Sequence, residues 1–531
     1  MPLYNGDQTA AGVYGGEEDN SFSPTITYPS IGAIVAPSKR GKVGVPVPVT
    51  SVTEFRRKFG RRDASFTFAH FCAERFLKKS SKLWFLRVDT EANYGSGSIR
   101  TVDGYATFKK ATRGYLEPET EHNSHPDEIM FIYAADPGTW NNDVRVVLYP
   151  DVNDMDNEKF ILEVYEGSYS VPVETYRGTL RDKNENGKQI NIAYQLEVAE
   201  SRVRVRVNEQ HPLWISSKGA TRTINAVVSG DLLFGDNGRE VETYDILNGW
   251  DIFDDPDEYD IRILINAGYT DISVQQRMIQ LCEDRRDCIP ILDVPVEYQT
   301  AAKFVEYRRN LLNANTSFGT LYGPDILEVT DEGQKIYVPC SGAVAAVYAQ
   351  SDAMADEWFA PAGVQRGVID EIEGTRYKYD QGERNMLDQN QCNFIHKVSG
   401  YGYCVWGAST LQSAKSALQD VPVRRLINRV ERTAKESALI GVYEPNDEIL
   451  WQQLYDIVDR ILRPVKNKRG LYDYSVKCDA EINTPDTIAS GDVILVYIIQ
   501  PTRYAKRILF TTSLAATGQL STAVSFIEAT S

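Results

Sequence analysis

Histidine is scarce in this chain: its 531 residues include five, His70, His122, His125, His211 and His396. A Ser-His-Asp relay needs an imidazole between nucleophile and carboxylate, and none of the five stands in a His-Gly context after a strand-like run. The nucleophile elbow Gly-x-Ser-x-Gly is missing, as are GxGxxG, HExxH and the EF-hand pattern. Ser38-Lys39-Arg40-Gly41-Lys42 resembles a phosphate loop, but Val43 stands where the hydroxyl belongs, so the stretch reads as a basic turn. His122 and His125, beside Glu121 and Asp127, have metal-like spacing. They lie in the polar string EPETEHNSHPDE (117–128), which reads as a solvated loop without a fixed face. The expectation is therefore no enzyme, with no catalytic residue, cofactor or metal site.

Other shortages exclude other classes. No window approaches the roughly 20 apolar residues needed to span a bilayer. The N-terminal residues lack a basic, then apolar, leader pattern, so synthesis and assembly in a cytoplasm are expected. Basic residues are outnumbered, 57 against 74 acidic, for a net charge of −17. Such a surface repels phosphate, and direct nucleic-acid binding is not expected. The seven cysteines include no CxxC pair; they read as small buried apolar residues, the competing reading being a disulfide formed after assembly or lysis.

What the chain does have is size and pattern. Its length calls for three or four domains. Residues 1–24 have little apolar content, and Val13 and Tyr14 lie between glycines in GVYGG; on composition this is a disordered terminus. Residues 25–94 begin with a buried strand-like run (31–36). A capping box at Ser51-Val52-Thr53-Glu54 then opens a short helix that carries Phe55 and Phe59 and stops at Gly60. Residues 95–235 are rich in Thr, Tyr and Val with frequent turns, the texture of an inserted all-β domain. Residues 236–400 alternate strands with helices, which implies a mainly parallel sheet covered on both faces.

Residues 401–514 carry two amphipathic helices. The first shows Val423, Leu426, Ile427, Val430, Ala434 and Ala438 on one face, with Asp420 as N-cap and Pro422 in its first turn. The second is capped by Asn446, carries Leu450, Leu454, Ile457, Val458 and Ile461, and is stopped by Pro464. Strand-like runs follow: an alternating one from Tyr474, and a nearly continuous apolar one over 493–499 that reads as covered on both faces. Further extended segments are expected at 508–512 and 521–527. From Pro422 to Gly470 there are ten basic and seven acidic residues. Arg460, Arg463, Lys466, Lys468 and Arg469 concentrate at one helix end, where ordinary solvation competes with a basic docking patch.

Several strings resemble contractile phage tail sheath proteins. They are VWGASTL (405–411), VPVRRLINRVERTAK (421–435), VYEPNDEILWQQL (442–454), PGTWNNDVRVVLYP (137–150), LNGWDIFDD (247–255), ILDVP (291–295) and VPCSGAVAAVYAQSDAMADEWFAPAG (338–363). Ser409 replaces a family arginine, Asn141 a family glycine, and LYGPD (321–325) a family aromatic-Pro-Trp. The resemblance implies an α/β and α+β multidomain fold. Its parts are a subtilisin-like-topology α/β domain, an inserted β-sandwich-like domain, and a C-terminal α+β domain with exchanged terminal arms, 1–24 and 515–531. Val13, Tyr14, Val524 and Phe526 are the expected strand-exchange residues, and Arg460, Arg463, Lys466, Lys468 and Arg469 the expected tube-facing patch. The implied function is a virion subunit that polymerises as six-fold rings around the tail tube and contracts for genome delivery. Its implied partners are other copies, the tail tube protein, and baseplate and tail terminator or neck proteins. A sheath subunit of a phage-tail-like injection particle, and a hydrolase on the α/β domain, are the alternatives.

Overall fold

The computed structural model describes residues 30–153, 159–168, 170–180, 189–208, 211, 224 and 226–507. Both expected arms, with Val13, Tyr14, Val524 and Phe526, and the extended segments at 508–512 and 521–527 lie outside the described residues.

The run IGAIVA is apolar without interruption because its strand, Ile31–Ala36, is buried on both faces. It lies inside an eight-stranded sheet of order Val47–Val49, Lys82–Arg87, Ile31–Ala36, Ile263–Ile265, Ile289–Asp293, Thr320–Gly323, Asn393–Val398, Gly402–Val405. The six inner strands are parallel and the two outermost antiparallel. One face packs on helices Ala69–Leu77 and Ser341–Met354. These two helices approach closely at Gly342, where a Cβ would lie 2.3 Å from Cys72 Cα. The other face packs on Thr243–Asp251, Ile272–Arg285 and Ala301–Glu306, the last continuing as a π-helical stretch, Tyr307–Leu312. The mainly parallel sheet covered on both faces is thus as expected. Its last strand, Gly402–Val405, hairpins with Asn393–Val398, so the expected division at 400/401 falls inside that hairpin.

Between Lys82–Arg87 and Thr243–Asp251 the described residues form two four-stranded antiparallel sheets. They share one core that includes Ile99, Ile132, Val146, Phe160, Leu162 and Val203. The segments leading in and out run side by side, bridged at Thr90–Arg239, Asn93–Asp236 and Ser96–Leu233. The PGTW turn docks this part onto the large sheet. Gly138 has φ 142°, and a Cβ there would meet the Lys39 carbonyl at 2.5 Å. Trp140 lies 4.7 Å under the Arg40 guanidinium. Arg87, fully buried, donates to the Gly41 and Pro137 carbonyls at 2.8 and 3.0 Å. Asn141 locks the same turn, donating to the Gly138 and Asp136 carbonyls and accepting from Gly95 N–H.

The C-terminal helices are Val421–Ala438 and Glu448–Asn467, followed by a two-stranded antiparallel sheet, Leu471–Lys477 with Val496–Pro501. Their core joins Leu426, Val430, Val458, Leu462, Val465 and Leu471 around Trp358. Four expectations change. Asp420 is the N-cap, but its carboxylate accepts from Arg503 Nε at 2.6 Å instead of capping. Asp447, not Asn446, caps the second helix through the Ile449 and Leu450 N–H groups; Asn446 binds Trp451 Nε1 instead. The helix runs through Pro464, because a proline near the end removes only one ladder bond. It closes instead with Arg469 at φ 68° and Gly470 N–H donating to the Val465 carbonyl. Finally, the strand Val496–Pro501 alternates: Tyr497 and Ile499 pack inward while Ile498 is 68% exposed.

Candidate functional site

In open α/β sheets, ligand sites form outside the carboxyl ends of the parallel strands. Here that place holds a buried polar network. Asp293 ends its strand, and its carboxylate accepts from Ser341 N–H at 2.8 Å and Gly268 N–H at 3.0 Å. Burial pushes this carboxyl up to about 6, against the hydrogen bonds that favour its charge. Gln275 donates to the Asp293 carbonyl at 2.7 Å and accepts from Tyr307 at 3.0 Å. Gln299 donates to Asp325 at 2.6 Å and accepts back from Asp325 N–H. These side chains orient one another and tie strand ends to helix starts. The LYGPD departure is absorbed here, since Asp325 also receives Arg376 at 3.0 Å.

The histidines lie elsewhere. His70 is buried with Nε2 3.1 Å from Ser38 Oγ, which superficially resembles the serine and imidazole of a catalytic relay. Its Nδ1, however, faces the Arg61 carbonyl at 3.3 Å, where a relay needs a carboxylate. Burial also pushes the imidazole down to about 4. His122 departs from the solvated loop expected for it. It is buried, stacked at 3.7 Å on Phe131, with Nε2 2.9 Å from Glu128 and Nδ1 3.2 Å from Tyr115 Oη. The Phe131 ring supplies a fixed face that the polar string conceals. His125 faces Asp127 at 3.5 Å and is not drawn into this pocket. His211 stands near Thr101, and His396 near Arg384 and Trp406. No three His, Cys, Asp or Glu side chains among the described residues are grouped to hold a metal.

The basic residues at the end of Glu448–Asn467 are all exposed, but the structure partners three of them internally. Arg463 pairs with Asp459, Lys466 with Asp473 at 2.7 Å, and Lys468 with Asp356 at 3.3 Å. Arg460 and Arg469 make no ion pair among the described residues.

Periodicity did not reveal the role of the polar face of Val421–Ala438. Arg425 pairs with Asp352, Arg429 with Asp356 at 3.5 Å, and Arg432 with Asp260 at 3.4 Å. Arg424 lies 4.2 Å over Phe318 and donates to Asn428, whose amide donates to the Cys288 carbonyl at 3.0 Å. The string VPVRRLINRVERTAK is therefore a docking face toward the large sheet. At Ser409, Lys506 brings a cation to within 3.5 Å of the hydroxyl.

The chain is thus a large α/β unit joined by arginine pairs to a helical unit that ends in a two-stranded sheet. Two family models place it. "Phage tail sheath protein central domain" matches residues 239–411 and "Phage tail sheath C-terminal domain" matches 413–515, together more than half the chain. The chain belongs to the phage tail sheath family. The tail sheath protein of Enterobacteria phage T4 is 26% identical over 304 residues, 53% of this chain and 46% of the relative. That of Vibrio phage KVP40 is 24% identical over 357 residues, 62% and 51% respectively. The chain thus spans about half the length of the curated relatives it matches. Among solved structures, the sheath tail protein of Listeria innocua shares the fold with a TM-score of 0.58 at 11% identity, over 89% of this chain and 95% of that one. The sheath complex of an extracellular contractile injection system, in its contracted state, gives 0.53 at 15% identity, over 96% and 98%.

Proposed function

We propose that the chain is the subunit of a contractile sheath. Copies stack as six-fold rings around a tail tube, and their concerted rearrangement drives the tube through the host envelope to deliver the genome. The observation that carries this reading is the unfinished sheet Leu471–Lys477/Val496–Pro501. Among the described residues each of its strands has only the other as partner. Two strands alone are marginal, and open apolar edges invite further strands. The arms 1–24 and 515–531 supply them in neighbouring copies, through Val13 and Tyr14 at one end and Val524 and Phe526 at the other. Each added backbone hydrogen bond contributes about 0.5–1.5 kcal/mol net, and donated strands hold while subunits move as rigid bodies.

In this reading the division is into arm 1–24, a subtilisin-like-topology α/β domain formed by 25–94 and 236–400, an outward-facing inserted β-domain 95–235, the C-terminal α+β domain 401–514 and arm 515–531. Arg460, Arg463, Lys466, Lys468 and Arg469 face the tube protein, while baseplate and terminator proteins cap the sheath ends. The subunit assembles in the host cytoplasm and ends in the virion. The alternative is the same sheath role in a phage-tail-like injection particle; gene neighbourhood separates the two.

Deleting residues 1–20, or 515–531, tests the reading. Negative-stain microscopy is expected to show tubes or polysheath for the full chain and folded monomers for either deletion. Normal tubes from a deletion overturn the arm mechanism; a full chain that never forms tubes, with or without tube protein, overturns the sheath reading.

A further inference from the structure

Cys282 lies in the last turn of the helix Ile272–Arg285, and Arg286 at φ 61° turns the chain back toward the strand Ile289–Asp293. This brings Cys288 beside Cys282, with the two sulfurs 3.2 Å apart and both side chains fully buried. The other five thiols face carbonyl, carboxylate or amide groups instead. A disulfide needs the sulfurs at about 2.05 Å, roughly 1 Å closer than they stand here.

We infer that Cys282 and Cys288 are an oxidation site at which a small peroxide closes an intrachain disulfide. One thiolate attacks the peroxide, the O–O bond breaks, hydroxide leaves, and the sulfur becomes a sulfenic acid. The neighbouring thiol then attacks that sulfur, and water leaves as the S–S bond forms. The two electrons lost by the thiols reduce the peroxide. Burial and the Cys288 thiol push the Cys282 thiol well up, so the reaction is slow and the pair is reduced during assembly in a reducing cytoplasm.

The site matters because of what the turn holds. Arg285 donates from it to the carbonyls of Phe253 at 2.6 Å, Asp255 at 3.1 Å and Tyr259 at 2.7 Å. The Cys288 carbonyl accepts from Asn428 on the docked C-terminal helix. A bond from Cys282 to Cys288 pins the turn on which both attachments depend, after release into an oxidising medium.

The experiment treats the purified full chain with hydrogen peroxide, alkylates it in denaturant, and maps tryptic peptides without reduction. Arg285 and Arg286 lie between the two cysteines, so trypsin separates them and a crosslink joins two peptides. The expected result is a 282–288 peptide pair lighter by two hydrogens than its free halves, lost on reduction and absent from Cys288→Ala. Separately alkylated or over-oxidised 282 and 288 peptides from folded wild-type protein overturn the inference, as does peroxide pairing of either residue mainly with a third cysteine.

Discussion

The Arg425 guanidinium meets the Asp352 carboxylate side by side, Nη1 to Oδ1 at 2.9 Å and Nη2 to Oδ2 at 2.5 Å, with both side chains almost wholly removed from water. The pair joins the first turn of Val421–Ala438 to the helix Ser341–Met354, and Ser30 adds its hydroxyl to the same carboxylate. Tyr348 lies 4.8 Å below the guanidinium. One turn further on, Arg429 repeats the motif with Asp356 and lies 5.1 Å over Trp358.

Removing one partner of such a pair strands a buried charge, at a cost of about 3–5 kcal/mol. Arg425→Ala is expected to destabilise the chain by that amount and to expose the segment between 405 and 421 to limited proteolysis. Replacing both partners with apolar residues, Arg425→Met with Asp352→Leu, is expected to recover most of the loss in chemical denaturation, because no charge is then left unpaired.

His70 makes stability depend on pH. Its folded pKa, about 4, is depressed below the ordinary 6.5 by burial. A depressed group contributes stability above the unfolded value and loses it as pH falls toward the folded one. The loss therefore runs from about pH 6.5 to about pH 4 and totals at most about 3 kcal/mol. Asp293, with its carboxyl raised to about 6, acts in the opposite direction, its buried charge being relieved as acid protonates it. His70→Gln is expected to flatten the acid side of the thermal-stability profile, and Asp293→Asn to steepen it.

The side-by-side strands at Thr90–Arg239 and Asn93–Asp236 predict that the part between them can be removed. Excising 95–235 with a short linker is expected to leave a soluble remainder with cooperative unfolding and the circular dichroism of the large sheet. An insoluble product with every linker tried counts against a separable insert. Arg40 and Arg87 lose Trp140 and the Pro137 carbonyl in that variant, so its transition is expected to fall below that of the full chain.

Charge reversal at Arg463 and Lys466 tests the proposed tube contact. Both are exposed, and among the described residues their ion-pair partners are Asp459 and Asp473. The double variant Arg463→Glu, Lys466→Glu is expected to fold as the parent does while co-sedimenting less with tubes at low salt, a difference that shrinks as salt screens the contact. Equal co-sedimentation at physiological salt removes these two residues from the contact.

Local patterns determined a good deal. The unbroken apolar run at 31–36 marked a strand covered on both faces, because only burial on both sides removes the need for alternation. The Ser51–Glu54 signal and Gly60 set the limits of the helix Val52–Phe59, since capping is a matter of neighbouring residues. The stripe from Val423 to Val430 marked the inward face of its helix for the same reason. Tertiary structure decided the rest. It buried His122 against Phe131, turned the basic stretch 38–42 into the seat of the PGTW turn, and brought Cys282 to Cys288 around a left-handed arginine. It left Ile498 exposed in a run that sequence alone reads as covered, since which face of a strand meets solvent depends on what packs against it. The partners of Arg425, Arg429 and Arg432 on Val421–Ala438, namely Asp352, Asp356 and Asp260, come from other parts of the chain. Charge pairing over such separations leaves no periodic trace in the sequence, because it is fixed by how whole elements pack and not by the spacing of neighbouring residues.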